Sequence, residues 1–146
     1  MKRTISPEAA ANALREQSAV YIDVRTVVEF ELGHPEGAYN VPWSLARDLA
    51  GELNREFVPL IERHFRRHQR LIIGCQSGVR SAPASAALIA AGFEEVFEQR
   101  AGYGGRRDPF GRSIEPGWER SGLPTSTEAI EGRSYDALRS AMSARS

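Results

Sequence analysis

Apolar residues recur along this chain with two different spacings, and the alternation divides it into short strands and helices. Ala19-Val-Tyr-Ile-Asp-Val24, Leu71-Ile-Ile73 and Phe93 to Phe97 are brief, largely apolar runs, the pattern of strands covered on both faces. Ser6-Pro7-Glu8 supplies a hydroxyl cap, a proline for the first turn and an acid at the positive end of the dipole. It predicts a helix to about Gln17 with Ala10, Ala13 and Leu14 facing inward. Thr26 with Glu29 three residues on is a capping-box pattern, predicting a short helix closed at Gly33. After the turn His34-Pro-Glu-Gly37, Ala38 to Val41 reads as a strand stopped by Pro42. Trp43 to Asn54 is expected to be irregular or a helical turn. Leu53, Phe57, Leu60, Ile61 and Phe65 then recur at helical spacing and predict a helix from about Asn54 to His68. A last helix is expected from Ala82 to Ala91, ending at Gly92.

Strands alternating with helices predict an α/β fold, a central, mainly parallel sheet with helices on both faces. The texture changes after Ala101. Residues 102–117 are rich in glycine, proline and arginine and read as loop, with a short helix expected from Trp118 to Leu123. Beyond Thr125 only Tyr135, Leu138 and Met142 suggest periodicity. The expected organisation is therefore a domain over residues 1–124 followed by a weakly helical or disordered tail, 125–146.

Composition narrows the functions on offer. The 146 residues suffice for one domain with its own core, and 41% hydrophobic content is that of an ordinary globular protein. Formal charge is zero, so no global field favours nucleic acid or a membrane surface, and the Arg63, Arg66, Arg67 face reads as solvated. Lys2 is the only lysine; arginine, whose fork suits oxyanions, supplies the remaining basic residues. A single cysteine can form neither an internal disulfide nor a structural zinc site, which suits a reducing compartment. The first residues lack the apolar stretch of a signal peptide, and no apolar run nears the ~18 residues that span a bilayer. A cytoplasmic location is expected.

That cysteine, Cys75, stands where strand gives way to helix. Gly74 ends the apolar run, and Gln76, Ser77, Gly78, Val79, Arg80 and Ser81 lead into the Ala-rich helix. Such a loop converges backbone N–H groups and a helix N-terminus on one point, beyond the carboxyl end of a parallel strand where ligands of such sheets bind. With Arg80 nearby the thiolate would be favoured there. From the residues alone, a reactive thiol and a buried structural cysteine both remain open.

Three segments together resemble the rhodanese family of single-domain sulfurtransferases, over about Ser6 to Pro124. They are Asp23-Val-Arg25 with Glu29-Phe30 and Gly33-His-Pro-Glu-Gly-Ala-Tyr-Asn-Val-Pro42; Cys75-Gln-Ser-Gly-Val-Arg80-Ser81; and Ala91-Gly-Phe93 with Gly104-Gly105, Trp118 and Gly122-Leu-Pro124. The resemblance implies a sulfurtransferase that moves sulfane sulfur from thiosulfate or a persulfide donor to a thiophilic acceptor such as cyanide, a thiol or sulfite. Cys75 would carry the sulfur as a persulfide, the N–H groups from Gln76 to Arg80 would stabilise its charge, and Arg80 would hold the loop and help receive the anionic donor. Asp23 and Arg25 would brace the loop as an ion pair. No metal or cofactor is implied; the partners would be a small anionic donor and a thiophilic acceptor, with a sulfur-donor or acceptor protein as a further candidate. A relay module without turnover is the alternative. Related phosphatases and arsenate reductases have a longer Cys-to-Arg loop, so the four intervening residues here favour sulfur. One departure from the family pattern is the twelve-residue stretch Arg106 to Gly117 before Trp118. Arg106, Arg107 and Arg112 in it are candidates for anion recruitment, with a tolerated surface loop as the plain alternative.

Overall fold

A computed structural model of the chain describes residues 3–46 and 52–144. The element order is β1 (Arg3–Thr4), α1 (Pro7–Arg15), β2 (Val20–Asp23), α2 (Val27–Leu32), β3 (His34–Pro35), β4 (Tyr39–Asn40), α3 (Phe57–His64), β5 (Arg70–Gly74), α4 (Ser81–Ala90), β6 (Glu95–Gln99), β7 (Arg106–Arg107), β8 (Ser113–Glu115), β9 (Thr125–Ser126) and α5 (Tyr135–Ala144). Five strands form a parallel sheet in the order β1-β6-β5-β2-β4. Strand β5 lies at its centre, with Asp23 of β2 and Gln99 of β6 in register with Gly74.

Because side chains alternate across a strand, each central strand feeds two cores. Leu71, Ile73 and Ile22 turn to one face, where they pack with Phe57, Leu60 and Ile61 of α3, Ala84 and Leu88 of α4, and Tyr135 and Leu138 of α5. Ile72 and Tyr21 turn to the other, against Ala10 and Ala11 of α1, Phe30 of α2, Tyr103 and Trp118. The expected sandwich of helix, sheet and helix is the one observed.

Local signals set several boundaries. Ser6 Oγ accepts the Ala9 N–H at 3.1 Å and Pro7 opens α1, while Thr26 and Glu29 complete the capping box of α2. Elsewhere tertiary contacts moved them. The helix expected over 54–68 covers only Phe57–His64, because Phe65 turns extended and Arg67 donates to the Ala91 carbonyl, bending the chain into β5. The third strand lies at Glu95–Gln99 rather than Phe93–Phe97: Glu94 N–H is drawn to Arg67 O, so pairing with β5 begins at Glu95 opposite Arg70. Trp118 to Leu123 is a pair of turns and not a helix, closed by Ser121 N–H to Gly117 O and Gly122 N–H to Glu119 O. In the irregular stretch 43–54, Ser44 bridges Leu53, and residues 47–51 lie outside the described part.

The arginine-rich insert is a hairpin, β7 paired antiparallel with β8. Beyond Pro124 the chain stays on the domain: β9 pairs with β3, and α5 lays Tyr135 and Leu138 into the larger core. No helix among the described residues is long and apolar enough to cross a membrane.

Candidate active site

Cys75 follows the carboxyl end of β5 and is 2% exposed, its side chain set among the residues of the larger core. Its Sγ accepts two backbone hydrogen bonds, from Gly78 N–H at 3.1 Å and from Ser81 N–H at 3.3 Å. Ser81 is the first residue of α4, so the sulfur sits on that helix's N-terminus, where the dipole favours negative charge. The N–H groups of Ser77, Val79 and Arg80 have no acceptor among the described residues. Ser77 and Val79 lie exposed at the top of the loop.

The sharp bend that aims these donors needs Gly78. Its φ is +96°, and a Cβ there would stand 2.7 Å from the Arg100 carbonyl oxygen. Gly74 is needed for another reason: any side chain there would run into the Tyr21 hydroxyl, which accepts from Gln99 Nε2. Burial, then the nearby Asp23 charge, push the Tyr21 phenol far up, so it stays neutral. Two more bonds fasten the loop from the segment after β6: Tyr103 N–H to Cys75 O at 2.8 Å and Gly104 N–H to Gln76 O at 2.9 Å.

Two buried ion pairs flank the thiol. Arg25 donates to Asp23 through Nε and Nη2, to the Gly33 carbonyl, and through Nη1 to Gln76 Oε1 at 3.1 Å, with its guanidinium over the Tyr103 ring. Burial opposes the Arg25 charge, but the Asp23 carboxylate outweighs it and raises the pKa. This pair touches the loop through Gln76. The second pair is Arg80 with Glu29: Nη1 to Oε1 at 2.6 Å and Nη2 to Oε2 at 3.0 Å, the bidentate fork of a strong charge-assisted contact. Burial works against the Glu29 charge, yet hydrogen bonds from Arg80 and Thr26 win and hold its pKa at about 2.

Of the two roles expected of Arg80, holding the loop has a visible contact: its fork is occupied by Glu29, which ties the loop to α2. Glu29 is a residue of the site whose part there was not legible in the sequence. Its place in the capping box was readable, but the same oxygen, Oε1, accepts from both Thr26 and Arg80, fifty-one positions away. Ser81 likewise donates its hydroxyl to Glu98 at 2.7 Å, and only its N–H serves the sulfur.

Of the insert arginines, Arg107 donates to Gly111 O and Arg112 pairs with Asp108, both within the hairpin. Arg106 alone of the three lines a concavity beside the loop, together with Ser77, Gly78, Val79 and Arg100. Among the described residues no group of three or more His, Cys, Asp or Glu side chains is placed to hold a metal ion.

The chain is similar to known proteins. The sequence profile of the rhodanese-like domain matches residues 6–105. Thiosulfate sulfurtransferase 16, a chloroplastic protein of Arabidopsis thaliana, is 39% identical over 106 residues, covering 72% of this chain and 78% of that protein. The senescence-associated protein DIN1 of Raphanus sativus is 40% identical over 100 residues, 68% of this chain and 55% of its own length. The chain thus spans about half the length of such relatives. The Rv0390 crystal structure from M. tuberculosis superposes with a TM-score of 0.71 at 26% identity, over 88% of this chain and 98% of that one.

Proposed function

The chain belongs to the rhodanese-like domain family, and on that footing we propose that it is a sulfurtransferase working through a persulfide on Cys75. The observation that carries this reading is the thiol sulfur held by the Gly78 and Ser81 N–H groups at a helix N-terminus. In the first half-reaction the Cys75 thiolate attacks the sulfane sulfur of thiosulfate; the S–S bond of the donor breaks and its electron pair leaves on sulfite. Cys75 then carries an outer sulfur bearing the negative charge. The N–H groups of Ser77, Val79 and Arg80, still without acceptors, would receive it. In the second half-reaction a nucleophile takes the outer sulfur and the Cys75 thiolate departs. Covalent catalysis of this kind gives ping-pong kinetics.

Neither half-reaction needs a proton removed by a protein base, which fits a site whose polar side chains are engaged in bracing the loop. Gln76 and Gly78 shape it, Arg80 and Glu29 tie it to α2, and Asp23 and Arg25 hold Gln76. A thiol that must cycle freely, in a chain with a single cysteine, suits a reducing, cytoplasmic setting. Thiosulfate treatment should add one sulfur atom to the intact mass, removable by cyanide, and Cys75→Ser should abolish both the gain and thiocyanate production. A wild-type protein that takes sulfur neither from thiosulfate nor from an organic persulfide would overturn the reading. Hydrolysis of an aryl phosphate through Cys75 would replace it with phosphatase chemistry.

A further inference from the structure

Arginines around the Cys75 loop fall into two groups. Arg25 and Arg80 are buried and their donors are engaged by Asp23, Gln76, Gly33 and Glu29. Arg100 and Arg106 are different: among the described residues neither guanidinium donates a hydrogen bond. Both approach one carboxylate oxygen, Glu115 Oε1, at 3.9 Å and 3.7 Å, too far for either to be a hydrogen bond. That oxygen is itself buried and without a hydrogen-bond partner. Glu115 therefore holds the two cations near each other by charge while leaving their planar forks unfilled. The acid that lines the concavity beside them, Glu98, is buried and takes the Ser81 hydroxyl.

The placement is fixed relative to the loop. Arg100 follows β6 directly, and its carbonyl lies against Gly78. Arg106 follows the segment whose Tyr103 and Gly104 N–H groups bond the Cys75 and Gln76 carbonyls. With Ser77, Gly78, Val79 and Ala82 the two arginines line a concavity of about 550 Å³. Cys75 is not in its wall, so a ligand must reach from this concavity around the loop to the sulfur.

Resting on the persulfide reading above, we infer that Arg100 and Arg106 form a carboxylate subsite selecting an organic thiol acceptor with a carboxylate on a flexible arm. The arm's carboxylate docks in the two forks, a pairing that guanidinium makes bidentately. Its sulfur, having lost its proton to solvent, attacks as the thiolate on the outer sulfur of the Cys75 persulfide. A new S–S bond forms on the acceptor, the Cys75–S bond breaks with its electron pair returning to Cys75 as thiolate, and the acceptor leaves as a persulfide. No oxidant is consumed.

The test uses a series of ω-mercaptocarboxylates of increasing length, each paired with its primary amide, as acceptors for Cys75 preloaded from thiosulfate. Wild-type protein should discharge to the carboxylate about tenfold faster than to the amide at the best chain length, a ratio worth about 1.4 kcal/mol. The ratio should shrink as salt is raised and approach one in the R100Q/R106Q double variant. A ratio near one in the wild type at every length, or one that survives the double substitution, overturns the subsite. Calorimetric binding of the matching S-methyl thioether carboxylate to the resting protein gives a readout that needs no sulfur loading. It should be weakened about tenfold by R100Q/R106Q, and equal affinity for both proteins would overturn the subsite even if Cys75 never accepts sulfur. Failure to load sulfur with this binding intact would instead count against the persulfide reading alone.

Discussion

Replacing Glu29 with glutamine keeps the shape of the side chain and removes the charge that neutralises Arg80. Two routes give the magnitude. The first is proton linkage: the Glu29 pKa is drawn from an ordinary 4.5 to about 2 in the folded protein. A displacement of that size corresponds to about 3 kcal/mol of stability, present in full above about pH 5 and lost as pH falls through 4.5 towards 2. The second is the cost of leaving one partner of a buried pair uncompensated, about 3–5 kcal/mol. The Glu29 and Arg80 side chains are only 10% and 9% exposed, so solvent screening removes little of it. A glutamine oxygen can still accept from Arg80 or Thr26, which places E29Q at the lower end, a loss of about 3 kcal/mol at pH 7. Urea unfolding of both proteins from pH 7 to pH 3 measures it. The gap should narrow to roughly half by pH 3, because the wild-type carboxylate is then protonating in the unfolded chain. A gap below about 1 kcal/mol at neutral pH, or one independent of pH, would refute the assignment of Glu29 as the charged anchor of the loop. Sulfur loading should also slow in E29Q, since Arg80 directly precedes the Ser81 N–H that bonds the thiol.

Two further substitutions separate loop geometry from fold. G78A forces a Cβ to within 2.7 Å of the Arg100 carbonyl at a φ of +96°; a loss of about 1–3 kcal/mol is expected, with slower thiosulfate loading. Equal stability and loading in G78A and wild type would show that the loop does not need that bend. L138A removes a fully buried side chain of α5 from the larger core and should cost about 2–5 kcal/mol by urea unfolding. A cost below about 1 kcal/mol would mean that the C-terminal helix is not docked as described.

What could be read from the sequence was what neighbours in sequence decide. The caps at Ser6 and Thr26, the apolar strands around Ile22 and Ile72, and the glycine-flanked thiol are local signals, and each lies where expected. What escaped was decided by distant partners. The two residues of β1 pair with Phe97 and Glu98, and no apolar run of their own announces them. The register of β6 was set by Arg67 and Arg70, not by its own apolar residues. The weak periodicity of Tyr135 and Leu138 understated a helix that earns its stability from α3 and the sheet, as short helices generally do.

Charge around the thiol was hardest to anticipate, because an arginine's availability is settled by which acid reaches it. Arg80 sits five residues beyond Cys75 and reads from sequence as both a brace of the loop and a receiver of the anionic donor, yet Glu29 occupies its fork. Arg100 belongs to no recognised motif here, yet it ends beside the loop with its donors open. The division has a physical consequence. A buried cation facing the sulfur would stabilise the resting thiolate and the charged persulfide alike, and so would do little to favour transfer between them. Backbone N–H groups differ in that Gly78 and Ser81 hold the thiol sulfur while Ser77, Val79 and Arg80 remain for charge placed one bond further out. In the proposed persulfide cycle, keeping the strong cations neutralised or displaced to the rim would leave that graded set of dipoles to follow the charge as it moved outward along the S–S bond.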